Sequence, residues 1–146
     1  MSTPTAPIRV ILDTNVWISG IFFARGAPAQ LLRAWRDGRF EIIVSPPTLR
    51  ELEIVLKRKA EKFGAPLSLV MEWLAYIEAF ASTIHVDVIL ETSSRDPKDD
   101  IFLSASVAGQ VKYLVTGDKD LLVLERIENS QIITPRAFLD LLDAGG

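Results

Sequence analysis

The sequence predicts an α/β sandwich, with helices on both faces of a parallel sheet. Short β-branched apolar runs recur along the chain and each closes on a turn signal; near-continuous apolar character marks strands buried on both faces. Stretches of helical periodicity lie between them, and such alternation builds parallel sheets through right-handed crossovers. The chain has 146 residues, 49% apolar and 24% charged, which suits one domain with a substantial core.

The first strand is expected over residues 8–12, Ile-Arg-Val-Ile-Leu, ending at Asp13. The second, 40–44, stops at Ser45-Pro46-Pro47, where two prolines remove ladder donors. Residues 83–86, which include His85, form a weaker third. Residues 112–116 end at Gly117-Asp118, and 131–133 end at Thr134-Pro135. Helices are expected over 27–37, 46–63, 67–81, 97–108 and 136–142, carried by apolar residues such as Leu31, Leu52, Leu56, Leu74 and Ile77. Gly64-Ala65-Pro66 divides the second and third of these into an inserted αα-hairpin. The domain is expected over residues 8–142, with a disordered tail at 1–7 and a short tail at 143–146.

Composition narrows the chemistry. The chain has no cysteine and one histidine, His85, which excludes disulfides, thiolate zinc sites and multi-histidine metal sites. A bound metal must therefore be held by carboxylates. The formal charge is −3, but residues 1–62 hold ten Lys/Arg against six Asp/Glu, and residues 63–146 hold six against thirteen. Such a dipolar layout suits a carboxylate metal site beside a polyanionic substrate, and chance clumping of charge along helices explains it equally. No apolar run approaches the roughly 18–20 residues that span a bilayer. The first residues have neither the charged nor the apolar segment of a signal peptide, so a cytoplasmic location is expected.

Ligands of open α/β sheets sit beyond the carboxyl ends of the strands. Asp13 and Asp118 stand there, although each would also serve as a helix cap or turn residue. In Asp96-Pro97-Lys98-Asp99-Asp100, the first Asp reads as an N-cap before an N1 proline, and Asp99 as its capping-box-like partner. Asp100 has no such role. Ser104 and Val107 lie below it on one helical face, so it is expected at the buried top of the helix. Glu51 is either a capping-box partner of Thr48, a solvated helix residue, or a fourth acid of the crevice. Several carboxylates converging without His or Cys form the ligand set of a hard divalent cation, Mg²⁺ or Mn²⁺. A cation so held activates water for phosphodiester hydrolysis.

Four segments, in order, resemble the PIN-domain ribonucleases, specifically the single-domain toxins of type II toxin–antitoxin pairs (VapC-like). They are Val10-Ile11-Leu12-Asp13-Thr14-Asn15-Val16, Ser45-Pro46-Pro47-Thr48-Leu49-Arg50-Glu51-Leu52, residues 96–108, and Tyr113-Leu114-Val115-Thr116-Gly117-Asp118-Lys119-Asp120. The resemblance implies a three-layer sandwich whose sheet of about five strands runs in the order 3-2-1-4-5. It implies that Asp13, Glu51, Asp100 and Asp118 form a catalytic quartet binding Mg²⁺ or Mn²⁺, supported by Asn15, Thr116 and Asp120. It further implies RNA as substrate, a cognate antitoxin as partner, and a homodimer.

Gly117 departs from the pattern, standing where many of these toxins carry arginine. Lys119, Arg25 and the cluster Lys57-Arg58-Lys59 with Lys62 are the cations that could meet an RNA backbone in its place. A basic helix end favoured by the helix dipole accounts for the cluster equally well. Trp17, Phe22 and Phe23 could stack on bases or serve the core. The alternative function is a catalytically weak PIN-fold module that binds RNA or protein. A phosphoacceptor receiver domain fits poorly, because Ser-Pro-Pro follows the strand that should end in an Asp.

Overall fold

The computed structural model describes residues 6–86 and 98–145. The elements run β1 (Arg9–Leu12), α1 (Thr14–Phe22), α2 (Ala27–Arg36), β2 (Glu41–Val44), α3 (Pro46–Phe63), α4 (Leu67–Phe80), β3 (Ser82–Thr83), α5 (Asp99–Gly109), β4 (Tyr113–Val115), α6 (Lys119–Leu122), β5 (Arg126–Ile127), β6 (Ser130–Ile133) and α7 (Pro135–Gly145). The strands form one sheet in the order β3-β2-β1-β4-β6-β5, parallel except where β5 meets β6. The expected order is therefore present with β6 as its fifth strand, and β5 adds an antiparallel edge. Nothing in the sequence marks β5: it is two residues long, and the turns around it place Glu125 and Glu128 at positive φ.

Because successive strand residues point to opposite faces, the alternation along β1 divides the core in two. Val10 and Leu12 join Ile42, Val44, Tyr113 and Val115 on one face, covered by α1 to α4 and α7. Ile11 joins Ile43, Leu114 and Ile132 on the other, covered by α5 and Leu121 of α6. Two large apolar faces make the three layers.

Helix boundaries follow local chemistry. Ser45 caps α3: its N–H donates to Thr48 Oγ1 (2.9 Å) and the Thr48 N–H returns to Ser45 Oγ (3.3 Å). The capping box thus forms one turn before the one expected from Thr48 and Glu51, and Glu51 is released from capping. At the other end Gly64 adopts φ 68°, the left-handed geometry that glycine permits. The helix expected over 67–81 ends at Phe80, and α7 continues through Asp143 and Ala144, where a tail is expected. Asp96 and Pro97 lie outside the described residues, and α5 begins at Asp99 after an N-cap at Lys98. The strand expected over 83–86 is the two-residue β3, so His85 lies just beyond it. Trp17 is core, edge-on to Trp35 at 5.5 Å, while Phe22 and Phe23 pack on Phe63. No helix among the described residues is long and apolar enough to cross a membrane.

Candidate active site

Asp13 is the pivot of the cleft. It follows the last residue of β1 and caps α1, with Oδ1 accepting from the Val16 N–H at 3.1 Å. Its own N–H donates to Val115 O of β4 at 3.0 Å, which fixes the carboxylate beside the neighbouring strand end. There the Thr116 hydroxyl donates to Asp13 Oδ2, and the Asp118 N–H donates to that same hydroxyl at 2.9 Å. Asp118 in turn caps α6, accepting from the Asp120 N–H at 2.8 Å. Capping and site membership thus coexist for both acids, because a carboxylate oxygen has lone pairs to spare.

Asp13 is only 4% exposed. Burial pushes its carboxyl above the ordinary carboxylate range, and the charge of Asp118 adds to the rise. The hydrogen bonds from Thr116, Val16 and Asn15 oppose that rise. A buried acid next to a second acid is an arrangement that a cation relieves.

Asp13, Thr14, Asn15, Glu51, Asp99 and Asp118 line one open cleft of about 250 Å³, with Val55 and Phe102 as apolar wall and Arg58, Lys59 and Lys98 as cations. Three of the expected quartet, Asp13, Glu51 and Asp118, thus share the cleft. Asp100 is half-buried and is not among the lining residues, whereas its neighbour Asp99, 5% exposed, is. The physical reason is helical phase. The helix starts at Asp99 and its buried stripe includes both Leu103 and Ser104, so apolar packing one turn below does not separate adjacent acids that lie about 100° apart.

Among the supporting residues, Asn15 lines the cleft and is exposed, Thr116 holds Asp13, and Asp120 engages Asp118 through its backbone. Of the nominated cations, Arg58 and Lys59 line the cleft. Lys57 instead pairs with Glu53 at 3.8 Å, and Lys57, Lys62, Lys119 and Arg25 are not among the lining residues. Thr14 and Lys98 are lining residues that motif reading passes over. The Thr14 hydroxyl is buried without a hydrogen-bond partner among the described residues, and its position between Asp13 and Asn15 is the signal that could have found it.

Among the described residues, no three acids are grouped tightly enough to hold a metal ion by themselves. The donor set is nonetheless all oxygen, and Mg²⁺ commonly takes one or two carboxylates, completing its shell with waters and substrate phosphate. The burial of Asp13, only partly offset by its hydrogen bonds, fits that mode of binding.

The PIN domain family profile matches residues 9–120. The uncharacterized protein MJ1680 of Methanocaldococcus jannaschii is 28% identical over 148 aligned positions, covering 91% of this chain and 90% of that protein. Among solved structures, PAE2754 of Pyrobaculum aerophilum superposes with a TM-score of 0.64 at 14% identity, covering 94% of this chain and 90% of that one. VapBC2 of Rickettsia felis, solved bound to a DNA fragment from its promoter, gives 0.60 at 16% identity, with coverage of 87% and 98%. The T. brucei RRP44 PIN domain gives 0.52 at 19% identity, with coverage of 97% and 84%. At these identities the solved structures speak for the fold.

Proposed function

The chain belongs to the PIN domain family, and on that premise we propose that it is a metal-dependent endoribonuclease, acting as the toxin of a toxin–antitoxin pair. The observation that carries the reading is Asp13: a buried carboxylate at a strand end, facing a cleft that Glu51, Asp99 and Asp118 also line. Mg²⁺ or Mn²⁺ would be held directly by one or two of Asp13, Asp99 and Asp118, with the remaining acids and Glu51 of α3 reaching it through bound water. Asp99 takes the role that the sequence pattern assigns to Asp100, because Asp99 is the acid lining the cleft.

A divalent cation bound there supplies an activated water for attack on the phosphodiester and neutralises charge on the phosphate. The chain's own groups do the rest. Thr116 orients Asp13 and ties it to the Asp118 backbone. Glu51 and Asn15 line the same cleft and carry oxygen acceptors suited to water. Among the described residues that line the cleft, none is a nucleophile of the activated Ser–His or Cys–His kind, which favours direct hydrolysis by water.

The likeness to VapBC2 supports a cognate antitoxin as partner. A homodimer is proposed on the family resemblance; the exposed Leu67 and Met71, one turn apart on α4, offer apolar surface for it. Cleavage of RNA by the purified chain in Mg²⁺ or Mn²⁺, beside EDTA and an Asp13→Asn preparation, tests the function. Products that require both metal and Asp13 support it. RNA binding with no metal-dependent cleavage would establish the binding-module alternative.

A further inference from the structure

Resting on the ribonuclease reading, we infer that Arg58 and Lys59 of α3 form the phosphate-holding side of the cleft. Glu51, Val55, Arg58 and Lys59 all line the cleft, and their spacing places them within about 100° of arc on one face of the helix. Glu51 stands among the acids at one end. Seven residues on, about 10 Å along the axis, the face turns from anionic to cationic. Arg58 is exposed and Lys59 half-buried, and neither enters an ion pair among the described residues. Lys57 points away from this face and pairs with Glu53 at 3.8 Å.

The separation decides the role. Cations in contact with the acids would neutralise them and compete with a metal, whereas cations two turns away leave the carboxylates free. They then hold a neighbouring phosphate of the same strand. The substrate class follows: an oligonucleotide long enough to present a second phosphate, bound through its backbone and without base preference at this end. Val55, buried between the two charged ends, keeps the floor apolar and leaves both ends their separate partners.

The test compares the full chain with Arg58→Ala/Lys59→Ala, with Arg58→Gln/Lys59→Gln, and with Lys57→Ala as the matched loss of charge. The Gln pair keeps longer stems on the helix and controls for packing, and thermal melts report folding of every variant. Both double variants should raise KM for a single-stranded RNA on the order of tenfold with kcat nearly unchanged. The slope of log affinity against log salt should fall by about 0.7 for each cation removed. Lys57→Ala should match the parent. Metal-dependent cleavage that is indifferent to the double variants, or equally weakened by Lys57→Ala, overturns this inference alone. Failure of the parent chain to cleave RNA in metal overturns the ribonuclease reading beneath it.

Discussion

The hydroxyl of Thr116 donates to Oδ2 of Asp13 across 103 residues of sequence and itself accepts from the Asp118 backbone N–H at 2.9 Å. One small side chain therefore couples the ends of β1 and β4 and sets the relation between two acids of the cleft. Thr116→Val keeps the shape but strands a carboxylate oxygen and an N–H. It should cost about 1–3 kcal/mol in denaturant unfolding and lower cleavage, while Thr116→Ser restores both. Unchanged stability in the Val variant would show that the bond contributes nothing.

Asp13 gives the cleft a definite pH signature. Its folded carboxyl titrates above its unfolded value because it is buried, so between those two values the folded state binds more protons. Stability contributed by protonated Asp13 is present below the ordinary carboxylate value and is lost as pH rises through the elevated folded value. In EDTA, Asp13→Asn should remove that decline and raise the melting temperature by a few degrees at neutral pH, even as cleavage is lost. Parallel melting curves for the two proteins from acid to neutral pH would contradict this.

Adjacent acids at the start of α5 should behave unlike each other. Asp99→Asn should reduce metal-dependent cleavage by at least about 100-fold, since losing even a residue that only supports a metal ligand costs about 10–100-fold. Asp100→Asn should stay within a few-fold of the parent. Kinetics of the two purified variants decide the matter, and the reverse ranking would return the role to Asp100.

Gly20 marks where α1 meets α2. A Cβ there would stand 2.6 Å from Leu32 Cδ1 and 2.9 Å from the backbone oxygen of Pro28. A side chain can swing aside, but the carbonyl moves only with its helix. Gly20→Ala should therefore destabilise by about 1–3 kcal/mol, read as a lower denaturation midpoint with normal cleavage by the folded fraction. A neutral effect would mean that the helices separate freely.

What could be read from the sequence follows from the strength of each local signal. The β1, β2, β4 and β6 runs are apolar and closed by Asp, Pro or Gly, so they are visible without tertiary information. α3 begins at Pro46 and ends before Gly64, as proline and glycine require. β5 is two residues held by a turn, and α6 is a single turn capped by Asp118; neither carries a periodic pattern. In the cleft, Asp13 and Asp118 are legible because strand ends gather ligands. Asp99 reads as a cap in the sequence because its phase depends on where α5 begins. The difference between Arg58 and Lys57 is likewise a matter of helical phase, which a run of three basic residues conceals.

On the proposed reading, the acids around Asp13 make a metal-dependent endonuclease. The most direct measurement is cleavage of a circular RNA, which offers no ends to an exonuclease, by the parent chain and by Asp13→Asn across a Mg²⁺ and Mn²⁺ titration. Linear products that rise with metal, vanish in EDTA and are absent from the variant are the predicted result. Cleavage that persists equally in Asp13→Asn, or an intact circle at every metal concentration, would contradict the account.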